Sequence, residues 1–247
     1  MLCIDNRITD VYFNLAAEEF FLKNSRENVF MLWQNEPAVV IGKHQDIFDE
    51  VNTGFVNENQ IKIARRFSGG GAVYHDLGNL NLTFIETNAS VNFDDYVQRI
   101  IDMLASLGIH ASADSRRGIN IGGLKISGSA QSIHKDRVLF HATLLFSTDL
   151  QHLITSLESQ PVQNRLKAKR KVSVKSVKSP VTNLSQHLPP AFKLDEVKEY
   201  ILNYYTAKET ENNIYTFTED DIHSIRQLKN IKYATESWIY DGEFLKM

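Results

Sequence analysis

The chain has a single cysteine, Cys3, among its 247 residues, so it can form neither an internal disulfide nor a cysteine-rich zinc site. Neither sign of charge dominates. The 27 Lys and Arg against 30 Asp and Glu leave a net charge of -3, which argues against a protein that coats nucleic acid. No apolar run is long enough to span a bilayer and no stretch reads as a secretory leader, so the expected compartment is the cytoplasm or another reducing one, with neither nucleic acid nor membrane as partner. Internal repeats and low-complexity segments are missing as well. With 43% hydrophobic residues the chain can bury a sizeable core. The expectation is one main domain over 1–247, with 179–247 as its helical C-terminal part.

What the sequence does have is a run of three glycines between cations and polar side chains, Arg65-Arg66-Phe67-Ser68-Gly69-Gly70-Gly71-Ala72-Val73-Tyr74-His75-Asp76. Consecutive glycines cost backbone entropy on folding, so a fold keeps them where a side chain would obstruct a tight turn or a ligand's close approach. Bare amides beside Arg65 or Arg66 suit a phosphate, the amides as directional donors and the guanidinium as a bidentate charge. A flexible hairpin turn with surface arginines is the plainer alternative. Farther along, Lys125-Ile126-Ser127-Gly128-Ser129-Ala130 adds a lysine to the set.

Around this loop the pattern alternates between strands and helices. Phe13, Ala16, Ala17, Phe20 and Phe21 fall on one helical face with Glu18, Glu19 and Lys23 opposite. Val29–Trp33 and Ala38–Ile41, separated by Asn35-Glu36-Pro37, read as a hairpin ending at Gly42. Ile61–Ala64 and Asn81–Ile85 read as strands flanking the glycine loop, and Phe93 opens a helix that Gly108 ends. Ile119–Ile121, Lys125–Ser132 and Val138–Phe146 read as three successive strands. A helix around Leu150–Leu157 leads to the basic run Arg165–Lys171, followed by Lys175 and Lys178, which reads as a mobile loop, a lid over phosphates or a patch for an acidic partner. Helices at Leu184, over Leu194–Tyr205 and after Thr218 follow. The fold class expected is α+β (α/β), a mixed, largely antiparallel sheet flanked by helices.

With these residues quoted, the chain resembles the lipoate–protein ligase A family, within the group of biotin and lipoate ligase catalytic domains. The resemblance extends from Asn14-Leu15-Ala16-Ala17-Glu18-Glu19 through Val40-Ile41-Gly42-Lys43-His44-Gln45, the double-arginine glycine loop and the lysine strand to Val181-Thr182-Asn183-Leu184. It implies ATP-dependent activation of lipoate to lipoyl-adenylate, with Mg²⁺ accompanying the nucleotide. Transfer to a lysine of an acceptor domain follows, such as those of 2-oxoacid dehydrogenase E2 subunits or glycine cleavage protein H. It further implies that Arg66 and Gly71-Ala72-Val73-Tyr74 hold ATP, and that Ser68, Gly69, Gly70, His75 and His141 line the lipoate site. Lys125 would serve both substrates as the catalytic residue. A lysine between a carboxylate and the α-phosphate relieves their repulsion without becoming a nucleophile.

Some positions depart from the family's pattern. Ala142 follows His141 where a glycine is common, and Ile119-Asn120 stands where an Asn-Asp pair is usual ahead of the lysine hairpin, which leaves the metal ligands unknown. The relatives that perform both steps usually continue into a small accessory domain, so a lipoyltransferase that uses preformed adenylate or needs a separate accessory subunit is the second reading. An octanoyltransferase would need a cysteine nucleophile, and Cys3, in an apolar run, reads as core. Biotin ligation fits the glycine loop less well, and a non-catalytic nucleotide- or lipoyl-binding module is disfavoured by Lys125.

Overall fold

The computed structural model describes residues 1–87, 92–158, 173–190, 192–207 and 214–244. In chain order the elements are β1 (Leu2–Asn6), α1 (Val11–Asn24), β2 (Val29–Trp33), β3 (Ala38–Ile41), α2 (Ile47–Glu50), α3 (Thr53–Glu58), β4 (Lys62–Arg65), β5 (Val73–His75) and β6 (Asn79–Thr87). They continue with α4 (Phe93–Ser106), β7 (Ser112–Ala113), β8 (Ile119–Ile121), β9 (Leu124–Ser127), β10 (Ser129–His134), β11 (Arg137–Leu145), α5 (Leu150–Ser156), α6 (Leu194–Thr206) and α7 (Glu219–Leu228). A five-stranded sheet has the order β1-β2-β6-β11-β10, and two three-stranded sheets have the orders β4-β3-β5 and β7-β8-β9. Only β1 with β2 and β3 with β4 run parallel; the other pairings are antiparallel, giving the mixed α+β architecture expected.

The large sheet is covered on both faces, which is why β2 is apolar throughout. Phe30, Leu32, Leu80, Leu82, Phe84, Val138 and Phe140 face Tyr96, Ile100, Val197 and Ile201 of α4 and α6. Val29, Met31, Trp33, Ile85 and Leu139 face α1. Asp10 caps α1 by accepting from Tyr12 N, and Thr218 closes a capping box with Asp221 at the start of α7.

Several readings are corrected by the fold. Val29–Trp33 and Ala38–Ile41 do not form a hairpin: β2 joins the large sheet and β3 the center of a small one. The turn between them passes the chain from one sheet to the next, and a turn signal cannot tell that from a reversal. The stretch Lys125–Ser132 breaks at Gly128 into β9 and β10, again in different sheets. Most consequential is α1, whose Glu18 and Glu19 are buried rather than solvent-facing, at 0% and 3% exposure. The basic run Arg165–Lys171 lies outside the described residues.

Candidate active site

Strands β4 and β5 both pair with β3, one on each side, so the glycine loop joining them must cross the end of β3. It passes directly over Gly42, where a Cβ would come within 2.1 Å of Gly70 O. Gly70 itself has φ +86°, a conformation that other residues rarely adopt. Arg66 holds the loop in shape from within. Its guanidinium donates to Val40 O, Gly69 O, Gly71 O and Ser68 Oγ, and burial lowers its pKa to about 10. Arg65 is not available to a phosphate. It is 2% exposed and donates to the carbonyls of Gly42, Lys43, Gln45, Trp238, Ile239 and Tyr240.

Beneath the loop, the register of the large sheet sets a polar floor. Leu80, Leu82 and Phe84 of β6 point to the α4 side, so Asn81 and Thr83 point to the α1 side. Opposite them on β11 stand Thr143 and His141, paired Asn81 with Thr143 and Thr83 with His141. Glu18 descends from α1 onto this floor. Thr83 Oγ1 donates to Glu18 Oε1 at 2.6 Å, and Trp33 Nε1 donates to Thr83 Oγ1 at 2.9 Å. His141 Nδ1 lies 2.8 Å from Glu18 Oε1 and its Nε2 lies 2.9 Å from Ser68 Oγ. The glycine loop is thereby tied to a carboxylate on a helix that precedes it by some fifty residues (Glu18 to Ser68).

Two cavities open against this arrangement. The larger, of about 640 Å³, is walled by apolar side chains that include Leu145, Leu153, Ile154, Leu157, Val177 and Val181, together with Ala72, Val73 and Tyr74. The smaller, of about 330 Å³, is bounded by Leu15, Trp33, His75, Asn81, His141 and Ala142, and by Arg66, Gly70 and Gly71. Ala72, Val73, Lys125, Gly128 and Thr143 border both, as do Lys175, Ser176 and Val177. Of the residues singled out in the sequence, Arg66 and Gly71 therefore stand on the smaller cavity and Tyr74 on the larger. Ser68 and Gly69 are on neither wall; Ser68 supports the loop through Arg66 and His141.

Lys125 occupies the shared edge. Its backbone bridges to the segment 180–182, Lys125 N donating to Pro180 O and Thr182 N to Lys125 O. Burial lowers the pKa of its ammonium below the ordinary lysine range, and Asp114 opposes that shift. Asp114 was not evident from the sequence. Its carboxylate accepts from the amides of Arg116 and Gly118 and from Asn120 Nδ2, which fixes it on the turn before β8. Residues 173–181, whose Lys175 and Lys178 read in sequence as part of a mobile loop or a lid, form a strap held by hydrogen bonds across both cavities. Ala72 N and Gln45 Nε2 donate to Ser176 Oγ, Ser176 N donates to Glu50, and Arg116 donates to Val177 O and Ser179 Oγ. Among the described residues no group of three or more His, Cys, Asp or Glu could hold a metal ion. Cys3 is buried in the core, away from these cavities.

The sequence and the fold are those of a known family. Residues 10–206 match the model of the lipoyl protein ligase A/B catalytic domain. The chain is 38% identical over 241 residues to lipoate–protein ligase 1 of Staphylococcus aureus, an alignment covering 96% of this chain and 72% of that one. The structure superposes on that of P. falciparum LipL1 in complex with lipoate at 25% identity with a TM-score of 0.79, covering 100% of this chain and 75% of the other. On a lipoate–protein ligase A bound with ATP it superposes with a TM-score of 0.80 at 24% identity, covering 97% and 98%. The chain belongs to the lipoyl protein ligase A/B family, and it is an enzyme of the lipoate–protein ligase class.

Proposed function

We propose that the larger cavity takes the adenosine of ATP, the smaller the acyl chain of lipoate, and that Lys125 joins their reactive ends. The observation that carries this reading is the position of Lys125 on the one edge that both cavities share. In the first step a carboxylate oxygen attacks the α-phosphorus and pyrophosphate leaves, giving lipoyl-adenylate. Two anions must approach for this to happen. A fixed ammonium in a site sheltered from water lowers that barrier far more than the same charge in bulk solvent. In the second step the amine of an acceptor lysine attacks the activated carbonyl, AMP leaves, and an amide forms. The apolar walls near Leu153, Ile154 and Val177 suit a purine.

Mg²⁺ enters with the nucleotide, held mainly by phosphates and water; the carboxylates at hand are Asp114 near Lys125 and Asp49, Glu50 and Glu158 on the wall of the larger cavity. A lysine-bearing lipoyl domain, of a 2-oxoacid dehydrogenase E2 subunit or glycine cleavage protein H, is the acceptor, and the cytoplasm the compartment. No helix among the described residues is long and apolar enough to cross a membrane. The test is pyrophosphate release from ATP and lipoate together with the mass of an acceptor domain after incubation. Lys125→Ala is expected to cut pyrophosphate release by roughly 10²- to 10³-fold while its circular dichroism is unchanged. Lys125→Arg should rescue poorly, because a larger planar head places the charge elsewhere. Near-normal release by a folded Lys125→Ala protein overturns the assignment.

A further inference from the structure

The end of the Lys125 side chain lies against bare backbone. A Cβ on Gly128 would meet its Cε at 3.5 Å and its Nζ at 3.6 Å, ordinary contact distances. A Cβ on Gly118 would meet Lys125 Cε at 3.0 Å and Asp114 Oδ2 at 2.6 Å, so a side chain there forces something to shift. The conformation at position 118 does not itself call for glycine, since the glycines at positive φ are Gly70, Gly108, Gly122, Gly123 and Gly242. Space does, and the atoms that take the space belong to Lys125 and to the carboxylate beside it. Two charged groups of this turn act on the ammonium, Asp114 drawing it in and Arg116 repelling it.

The turn itself is firmly held. Asp114 Oδ1 accepts from Arg116 N and Gly118 N, both at 2.8 Å, and Asp114 N donates to Gly118 O. Within it Arg117 has φ +62°, a costly conformation for a residue with a side chain, which persists only where the surroundings enforce it. Three neighbors do so. Ser129 Oγ of β10 donates to Arg117 O, Arg117 Nε donates to Asp94 on α4, and Arg116 donates to Val177 O and Ser179 Oγ of the strap. Lys125, on its flexible four-carbon stem, is therefore the partner that yields. We propose that Gly118 is a positioning residue: its bare backbone is the stop that sets where the Lys125 ammonium stands on the edge shared by the two cavities. This rests on the reading above that Lys125 joins the reactive ends of the substrates. A fixed charge lowers the barrier according to where it stands, and a misplacement of ~1 Å can cost about 100-fold.

Gly118 borders neither cavity, so Gly118→Ala reaches the substrates only through what it displaces. It is expected to lower kcat for pyrophosphate release about tenfold, with KM for ATP and for lipoate within about twofold of the wild-type values. A second measurement needs no substitution at position 118. In substrate-free protein labeled with ¹³C at lysine Cε, relaxation should show Lys125 more ordered than the exposed lysines, its signal being the one missing from Lys125→Ala. An unchanged kcat in folded Gly118→Ala, a loss confined to KM, or a Lys125 Cε as mobile as the exposed lysines each overturns the proposal and leaves the ligase reading standing. Near-normal pyrophosphate release by folded Lys125→Ala overturns the role of Lys125 and this proposal together.

Discussion

At the scale of single residues, the active-site loop depends on a place where there is no side chain. Gly42 lies under the loop with Gly70 O occupying the position its Cβ would take, and neither segment can retreat freely, because Arg65 and Arg66 grip the carbonyls on both sides. Gly42→Ala must displace backbone rather than a flexible side chain. It is expected to destabilise the protein by roughly 2 to 3 kcal/mol in urea unfolding and to weaken ATP and lipoate together. Loss of affinity for only one of the two substrates would show that the loop does not move as a unit. The residue pattern made the glycines conspicuous, because three in succession are hard to explain otherwise. It made Arg65 and Arg66 look alike, and they are not: one reaches the C-terminal segment and the other the loop. Adjacent residues on a strand point to opposite faces, and which face holds what is a fact of the fold.

At the scale of elements, strand and helix positions were largely legible, whereas sheet membership was not. The pattern of Asn79 to Phe84 alternates polar and apolar, which in isolation reads as one solvated face. Here the polar face is covered by α1: Asn81, His141 and Thr143 line the smaller cavity, while Thr83 and His141 bond Glu18. Nothing in local sequence distinguishes a buried polar face from a wet one. The strap over residues 173–181 is a second element that lacks a periodic signal, since its structure rests on contacts with α2, the glycine loop and the turn at Arg116. Ser176→Ala removes the acceptor for Ala72 N and is expected to weaken ATP binding about tenfold by calorimetry. Gly71→Ala should act on the same contact, because its Cβ would lie 2.9 Å from Ser176 Oγ. The double variant should then lose much less than the sum of the two. Full additivity would separate the strap from the loop.

At the scale of the whole molecule, stability should depend on pH through His75. Its folded pKa of about 3 against an ordinary 6.5 means that between these values the unfolded chain takes up a proton that the native one refuses. Stability is then complete above about pH 6.5 and falls as the pH drops, by about 2 kcal/mol between about pH 7 and about pH 5. Urea unfolding at the two pH values measures it, and His75→Gln should lose far less over that interval. Glu19 acts in the same sense at lower pH. Its carboxylate is held below the usual range despite its burial, chiefly by Lys232 with Lys23 and Tyr233, so its contribution is present above its unfolded pKa and lost as acid protonates it. The same cluster fastens α1 to residues 229–233, as Arg65 fastens β4 to residues 238–240. Arg65→Met leaves six carbonyls without their donor and should cost about 3 kcal/mol or more, with faster hydrogen exchange over Ser237–Asp241.

That grip of Arg65 on Trp238, Ile239 and Tyr240 also has a consequence in time. On the ribosome the chain emerges at ~5–20 residues per second, so the arginine is out for roughly 10 to 35 seconds before its last three acceptors are made. Until then a guanidinium destined for the interior has only half of its carbonyls, and the crossing of the glycine loop over Gly42 is incompletely braced. The strands of the large sheet all lie before residue 146, so that sheet is complete in the chain well before the last partners of Arg65 emerge.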